Sequence, residues 1–139
     1  MQRLASIITS DMLHANKPLI LGSALWGQPI VHNPSSKYND DKYNFLSYPP
    51  YVSGAGILMN REAMLKIQAQ IPTTPIINID DALIGICAEK AGLTRGKNIR
   101  HMAGFQSQRV TLVDLYYDIC YVNDVIYLHK YAADDLELK

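Results

Sequence analysis

Gly54-Ala55-Gly56-Ile57-Leu58-Met59-Asn60 sets the pattern of the whole chain. Small residues at 54–56 permit close approach of another backbone or a ligand, and the next three suit a strand. Asn60 then supplies a helix N-cap, for a helix whose inner face carries Met64 and Ile67 and which Pro72 and Pro75 bar from continuing. Working downstream, Asp80-Asp81 opens a second helix over 82–91. It is apolar on most faces through Leu83, Ile84, Ile86 and Cys87, and is ended by Gly92 after Lys90. Residues 94–101 read as a basic loop, 125–128 as a strand with Val125, Tyr127 and His129 on one face, and 132–139 as the start of another helix. Working upstream, residues 26–50 are rich in Asn, Ser, Pro, Asp, Lys and Tyr, which predicts a long surface loop carrying aromatic rings. Before it, Leu19-Ile20-Leu21-Gly22 suits a buried strand, and Leu4, Ile7, Ile8 and Met12 recur at helical spacing until Asn16 and Pro18. Strands alternating with helices give an α/β domain.

The 139 residues suffice for one domain, and 48% hydrophobic content supplies a core. Thirteen Lys+Arg against thirteen Asp+Glu leave no net basic footprint, which argues against a nucleic-acid partner and an anionic membrane surface. Apolar runs such as 18–21 fall far short of the ~20 residues that cross a bilayer. Residues 1–8 lack the long apolar region and cleavage site of a secretory signal.

The sharpest local feature is Asp80-Asp81 at the start of an apolar helix. A carboxylate there meets the positive end of the macrodipole and unpaired N–H groups, an arrangement that suits an anion. Two readings stand side by side: Asp80 caps the helix while Asp81 complements its dipole, or one of them serves as a general base. Asp40-Asp41 and Asp134-Asp135 read as turn and surface acids, and Lys37 as a solvated lysine. Cys87 and Cys120 allow one intrachain pairing or two buried thiols.

Tyr48-Pro49-Pro50-Tyr51-Val52-Ser53-Gly54-Ala55-Gly56, followed by Ile79-Asp80-Asp81-Ala82-Leu83-Ile84-Gly85-Ile86-Cys87, resembles the C-terminal half of the β1,3-galactosyltransferase and β1,3-N-acetylglucosaminyltransferase family. Pro29 with Asn33-Pro34-Ser35-Ser36-Lys37-Tyr38 is similar to that family's stretch ending in Ser-Lys-Trp, with Tyr38 in place of Trp. Ile119-Cys120 and Leu128-His129-Lys130 fall where relatives have a cysteine and then a histidine-bearing strand. The four islands occur in the family's order and span nearly the whole chain.

The resemblance implies the acceptor-side half of a GT-A fold, and inverting transfer of galactose or N-acetylglucosamine from a UDP-sugar donor to a glycan acceptor in β1,3 linkage. It implies Asp81 as the base that takes the proton of the acceptor hydroxyl, with Asp80 supporting the acceptor. Tyr48, Tyr51, Ser53, Gly54 and Gly56 would floor the sugar site, since tyrosine offers an apolar face and a hydroxyl and glycine lets a pyranose approach. The alternative for that segment is a rigid turn whose tyrosines fill the core. A divalent metal, usually Mn²⁺, is implied, with His129 as a ligand; a half-buried strand histidine bonded to a carbonyl is the other account of His129. A Cys87–Cys120 bridge is implied as well, worth roughly 3 to 4 kcal/mol in the chain-entropy picture. So is a lumenal place on the Golgi membrane, through an anchor in the parent protein.

The family's N-terminal nucleotide-binding half, with its Asp-x-Asp metal motif, has no counterpart in residues 1–139. The expectation is therefore a partial domain whose activity needs that half. The rival from another class is a non-catalytic carbohydrate-binding or interaction remnant.

Overall fold

The computed structural model describes residues 17–101, 105–106 and 127–128. The helices expected near residues 1–16 and 132–139, together with Cys120, His129 and Asp134-Asp135, lie outside them. The described chain is a mixed α/β unit: β1 (Ile20–Leu25), β2 (Tyr51–Met59), α1 (Arg61–Gln68), a 3₁₀ turn (Ile71–Thr73), α2 (Asp80–Lys90), β3 (Ile99–His101), β4 (Phe105–Gln106) and β5 (Tyr127–Leu128).

The apolar run at 19–22 becomes β1, the middle strand of a three-stranded sheet in the order β2-β1-β3. β2 runs antiparallel to it and β3 parallel. The short β4 and β5 pair in parallel as a separate ribbon. The register of β1 on β2 shifts between Gly22 and Ala24. Gly22 is required there: its φ is +155°, and a Cβ would overlap the carbonyl oxygen of Gly56 and the Val52 side chain. β2 is longer than the 57–59 strand expected from sequence, because Tyr51 and Val52 also pair with Leu25 and Ala24 of β1, and 53–56 span the register shift between the two paired stretches. The loop expected over 94–101 likewise ends in a strand, with Ile99 buried against Ile20.

Asn60 caps α1 as expected, accepting from the Ala63 N–H at 3.0 Å. The same oxygen accepts from the Leu19 N–H at 3.0 Å, and its amide donates to the Lys17 carbonyl at 2.9 Å, tying the helix start to the entry of β1. The buried face of α1 is Ala63 and Ile67; Met64, expected inside, is half exposed. α2 is buried as predicted and feeds two apolar clusters. Cys87 and Ala88 pack with Ile20, Val52, Ala63, Ile67 and Ile99, while Ala82 and Ile86 pack with Ile30, Tyr48, Tyr51 and Ile77. Cys87 is a free thiol in the first cluster.

No helix among the described residues is long and apolar enough to cross a membrane.

Candidate active site

The first turn of α2, the start of β2 and the long loop before it enclose a cavity of about 560 Å³. Tyr48, Tyr51, Ser53, Gly54, Asp80 and Asp81 all line it, so residues read from two separate sequence islands meet at one place. Leu25, Gln28, Pro29, Val31, Tyr38, Ala55 and Ile79 complete the wall. Gly56 does not line it: two residues along β2 from Gly54, its backbone packs on Gly22 of β1.

The approach of α2 to β2 depends on Gly85. A Cβ there would overlap that of Tyr51 and lie 3.2 Å from the Pro50 carbonyl oxygen. Asp81 sits one turn earlier on the same helical face, so the contact that seats Gly85 also delivers Asp81 to β2. Its Oδ2 accepts from the Gly54 N–H at 2.9 Å, and its Oδ1 from the Ala82 N–H at 2.9 Å. Two backbone donors thus fix the half-buried carboxylate and leave it further acceptor capacity toward the cavity. The N-cap position belongs to Ile79, which makes no side-chain cap bond. Asp80, expected from sequence as a possible cap, is instead an exposed first-turn residue on the cavity rim.

The aromatic side is built from contacts among tyrosines. Tyr48 stacks on Tyr43 with centroids 5.6 Å apart and meets Tyr51 edge-on at 6.3 Å. Burial, then the negative charge of Asp81, then Tyr38 push the Tyr51 phenol up to about 12. Burial and the hydrogen bond to Asp40 raise Tyr48 further still. Ser53 Oγ accepts a long bond, 3.4 Å, from the Ala55 N–H. Tyr38 is exposed at the mouth, with the Lys37 ammonium 4.7 Å above its ring.

Asp40 departs from expectation. Read as a surface acid, it is 1% exposed and accepts the Tyr48 hydroxyl at 2.7 Å. Its neighbour Asp41 does stay exposed, bonded to the Asn39 amide at 3.0 Å. Among the described residues no group of three or more His, Cys, Asp or Glu side chains is placed to hold a metal ion. Asp80 and Asp81 are the acids of the cavity, and both oxygens of Asp81 already serve backbone donors, so these residues alone do not fit a cation site.

The family model described as Galactosyltransferase matches residues 1–98. The chain is 28% identical over 122 residues to a mouse (Mus musculus) acetylgalactosaminyl-O-glycosyl-glycoprotein beta-1,3-N-acetylglucosaminyltransferase, covering 86% of this chain and 31% of that protein. It is 36% identical over 76 residues to a zebrafish (Danio rerio) lactosylceramide 1,3-N-acetyl-beta-D-glucosaminyltransferase B, covering 52% of this chain and 20% of the relative. Against the Drosophila melanogaster beta-1,3-galactosyltransferase brn it is 28% identical over 97 residues, 69% of this chain and 29% of that protein. The chain thus spans about a third or less of the length of these relatives.

Proposed function

The chain belongs to the galactosyltransferase family, and on that premise we propose that it forms the acceptor-side half of a GT-A glycosyltransferase. The reaction is transfer of N-acetylglucosamine or galactose from a UDP-sugar to a glycan acceptor in β1,3 linkage, with inversion. One observation carries the reading: a carboxylate held by two backbone N–H groups faces the same cavity as Tyr48, Tyr51, Ser53 and Gly54.

A sugar ring docks its C–H face on the exposed Tyr38 at the mouth, with buried Tyr48 and Tyr51 backing the wall, and its hydroxyls on carboxylate, serine and backbone. With the acceptor so placed, Asp81 takes the proton of the attacking hydroxyl as the new C–O bond forms. The Gly54 and Ala82 N–H groups keep the carboxylate aimed while this happens, and Asp80 on the rim offers a second acceptor for sugar hydroxyls. The tyrosines exclude water from the reacting oxygen. Mn²⁺, with His129, itself outside the described residues, as one of its ligands, stays part of the proposal on the family resemblance alone. A lumenal Golgi location is proposed on the same family ground.

The test is Asp81→Asn in the full-length protein, assayed with UDP-N-acetylglucosamine and UDP-galactose separately. Transfer should fall by about 10²–10⁴-fold, the scale expected for loss of a general base, while the fold is kept and the melting temperature drops by only a few degrees, since the amide can accept just one of the two N–H bonds. Activity within a factor of a few of the wild type removes Asp81 as the base. Acceptor binding by a wild type that transfers neither sugar would favour a carbohydrate-binding remnant instead.

A further inference from the structure

Asp40 is the one buried acid among the described residues. A buried carboxylate is tolerated only when its oxygens are satisfied, and a turn needs none, since Asn or Ser would serve. Both oxygens of Asp40 are used: Oδ2 accepts the Tyr48 hydroxyl at 2.7 Å and Oδ1 the Lys42 N–H at 2.9 Å. Its own N–H donates to the Val31 carbonyl at 2.9 Å. Val31 and Tyr48 both line the cavity, whereas Asp40 does not. The acid therefore sits behind the wall and joins two parts of it that are far apart along the loop. Through Tyr48 the hold extends to Tyr51, which meets it edge-on and lies beside the charge of Asp81.

We propose that Asp40 is a positioning residue for the acceptor: its carboxylate grips the Tyr48 hydroxyl from behind, at a loop position that the backbone N–H ties to Val31 in any variant, and so fixes the aromatic wall of the cavity. This rests on the cavity being the acceptor site. The carboxylate touches no substrate. Its charge shortens and strengthens the bond to the phenol, which a neutral side chain would hold more loosely.

The experiment compares Asp40→Ala, Asp40→Asn, Tyr48→Phe and the Asp40→Asn/Tyr48→Phe double variant in the full-length protein. Asp40→Ala should raise the acceptor KM about tenfold, with kcat within about threefold and the donor KM unchanged, the scale of one buried charge-assisted bond. Asp40→Asn should restore part of the loss, because its amide oxygen still accepts from Lys42. Tyr48→Phe strands one oxygen of the buried carboxylate and should be the poorer of these two singles, and the double variant should be no worse than Tyr48→Phe, since with the phenol gone the charge at 40 has nothing left to hold. Amide exchange at Tyr48 should quicken about tenfold in the variants, and at Lys42 in Asp40→Ala, while Leu21 in β1 stays unchanged. If Asp40→Ala does not fold, Asp40→Asn and Tyr48→Phe decide. An acceptor KM within twofold of wild type with unchanged loop exchange overturns the proposal, as do additive effects in the double variant or a fall confined to kcat. A wild type that transfers neither sugar defeats the functional reading instead, and loop exchange alone then decides whether Asp40 holds the wall.

Discussion

Replacing Gly85 by Ala tests the joint on which the candidate site hangs. The added methyl would overlap Tyr51 Cβ and sit 3.2 Å from the Pro50 carbonyl oxygen and 3.3 Å from Tyr51 Cα. All three are backbone or Cβ atoms, so no side-chain rotation relieves the contact and the helix must lift from β2. Overpacking of this kind costs about 1–3 kcal/mol. Alanine in a helix interior returns about 0.8–1 kcal/mol relative to glycine. The net expectation is a destabilisation of up to about 2 kcal/mol, seen in urea as a midpoint lower by up to roughly 1 M at unchanged slope. Because Asp81 rides on the same face, transfer should fall more than stability suggests, on the order of 10²-fold for a shift of about 1 Å. Gly54→Ala is the control for stability: its methyl would meet nothing nearer than the Asp81 side chain at 3.6 Å, so the midpoint should move by less than about 0.5 kcal/mol equivalent. If Gly85→Ala raises the midpoint, helix propensity has won and the close seating of α2 on β2 is wrong.

Two further outcomes follow from bonds and burial. Asn60→Ala removes the cap of α1 and strands the N–H of buried Leu19, which should cost about 2–3 kcal/mol in the same urea assay; a loss below about 0.5 kcal/mol contradicts the shared role of that oxygen. The folded Tyr51 phenol, raised from 10.0 to about 12, holds its proton more tightly than the unfolded chain does. Its contribution is therefore complete below pH 10 and lost as pH climbs toward 12, so Tyr51→Phe should flatten the decline of the urea midpoint across that window. An equal slope in both proteins would show that burial of this phenol does not set the alkaline limit.

Sequence was most informative where a single physical rule acts locally. The apolar run at 19–22 had to be buried, Asn60 had a helix to cap, and the acids at 80–81 had a helix dipole to meet. Each was legible because its cause lies within a few residues. Met64 and Ala63 both keep helical spacing with Ile67, and only the depth of the sheet beneath α1 decides that Ala63 goes inside. Gly54-Ala55-Gly56 promises a close approach without naming the partner, and it is the register shift of β1 on β2 that puts the backbone of Gly56 against Gly22. Asp40 stands among turn formers, and nothing near it signals burial. Its partner is a phenol eight residues away, brought back by the fold of the loop. Of the candidate site, the acids and tyrosines could be named from sequence, whereas the brace behind them could not.

β1 occupies the centre of its sheet: one flanking strand, β2, follows it along the chain after residues 26–50, but the other, β3, arrives only after both helices. The Asn98 amide reaches back to the Pro18 carbonyl across 80 residues, and β3 closes the same edge. While a ribosome is still adding those residues, the apolar strand at 20–25 is already made and lacks one of its two partners. Loop closure over such distances is slow, and an unpaired strand edge invites association with other chains. Synthesis of this protein therefore passes through an interval in which one edge of β1 stays open until β3 has been made, and stalling before residue 98 would prolong it.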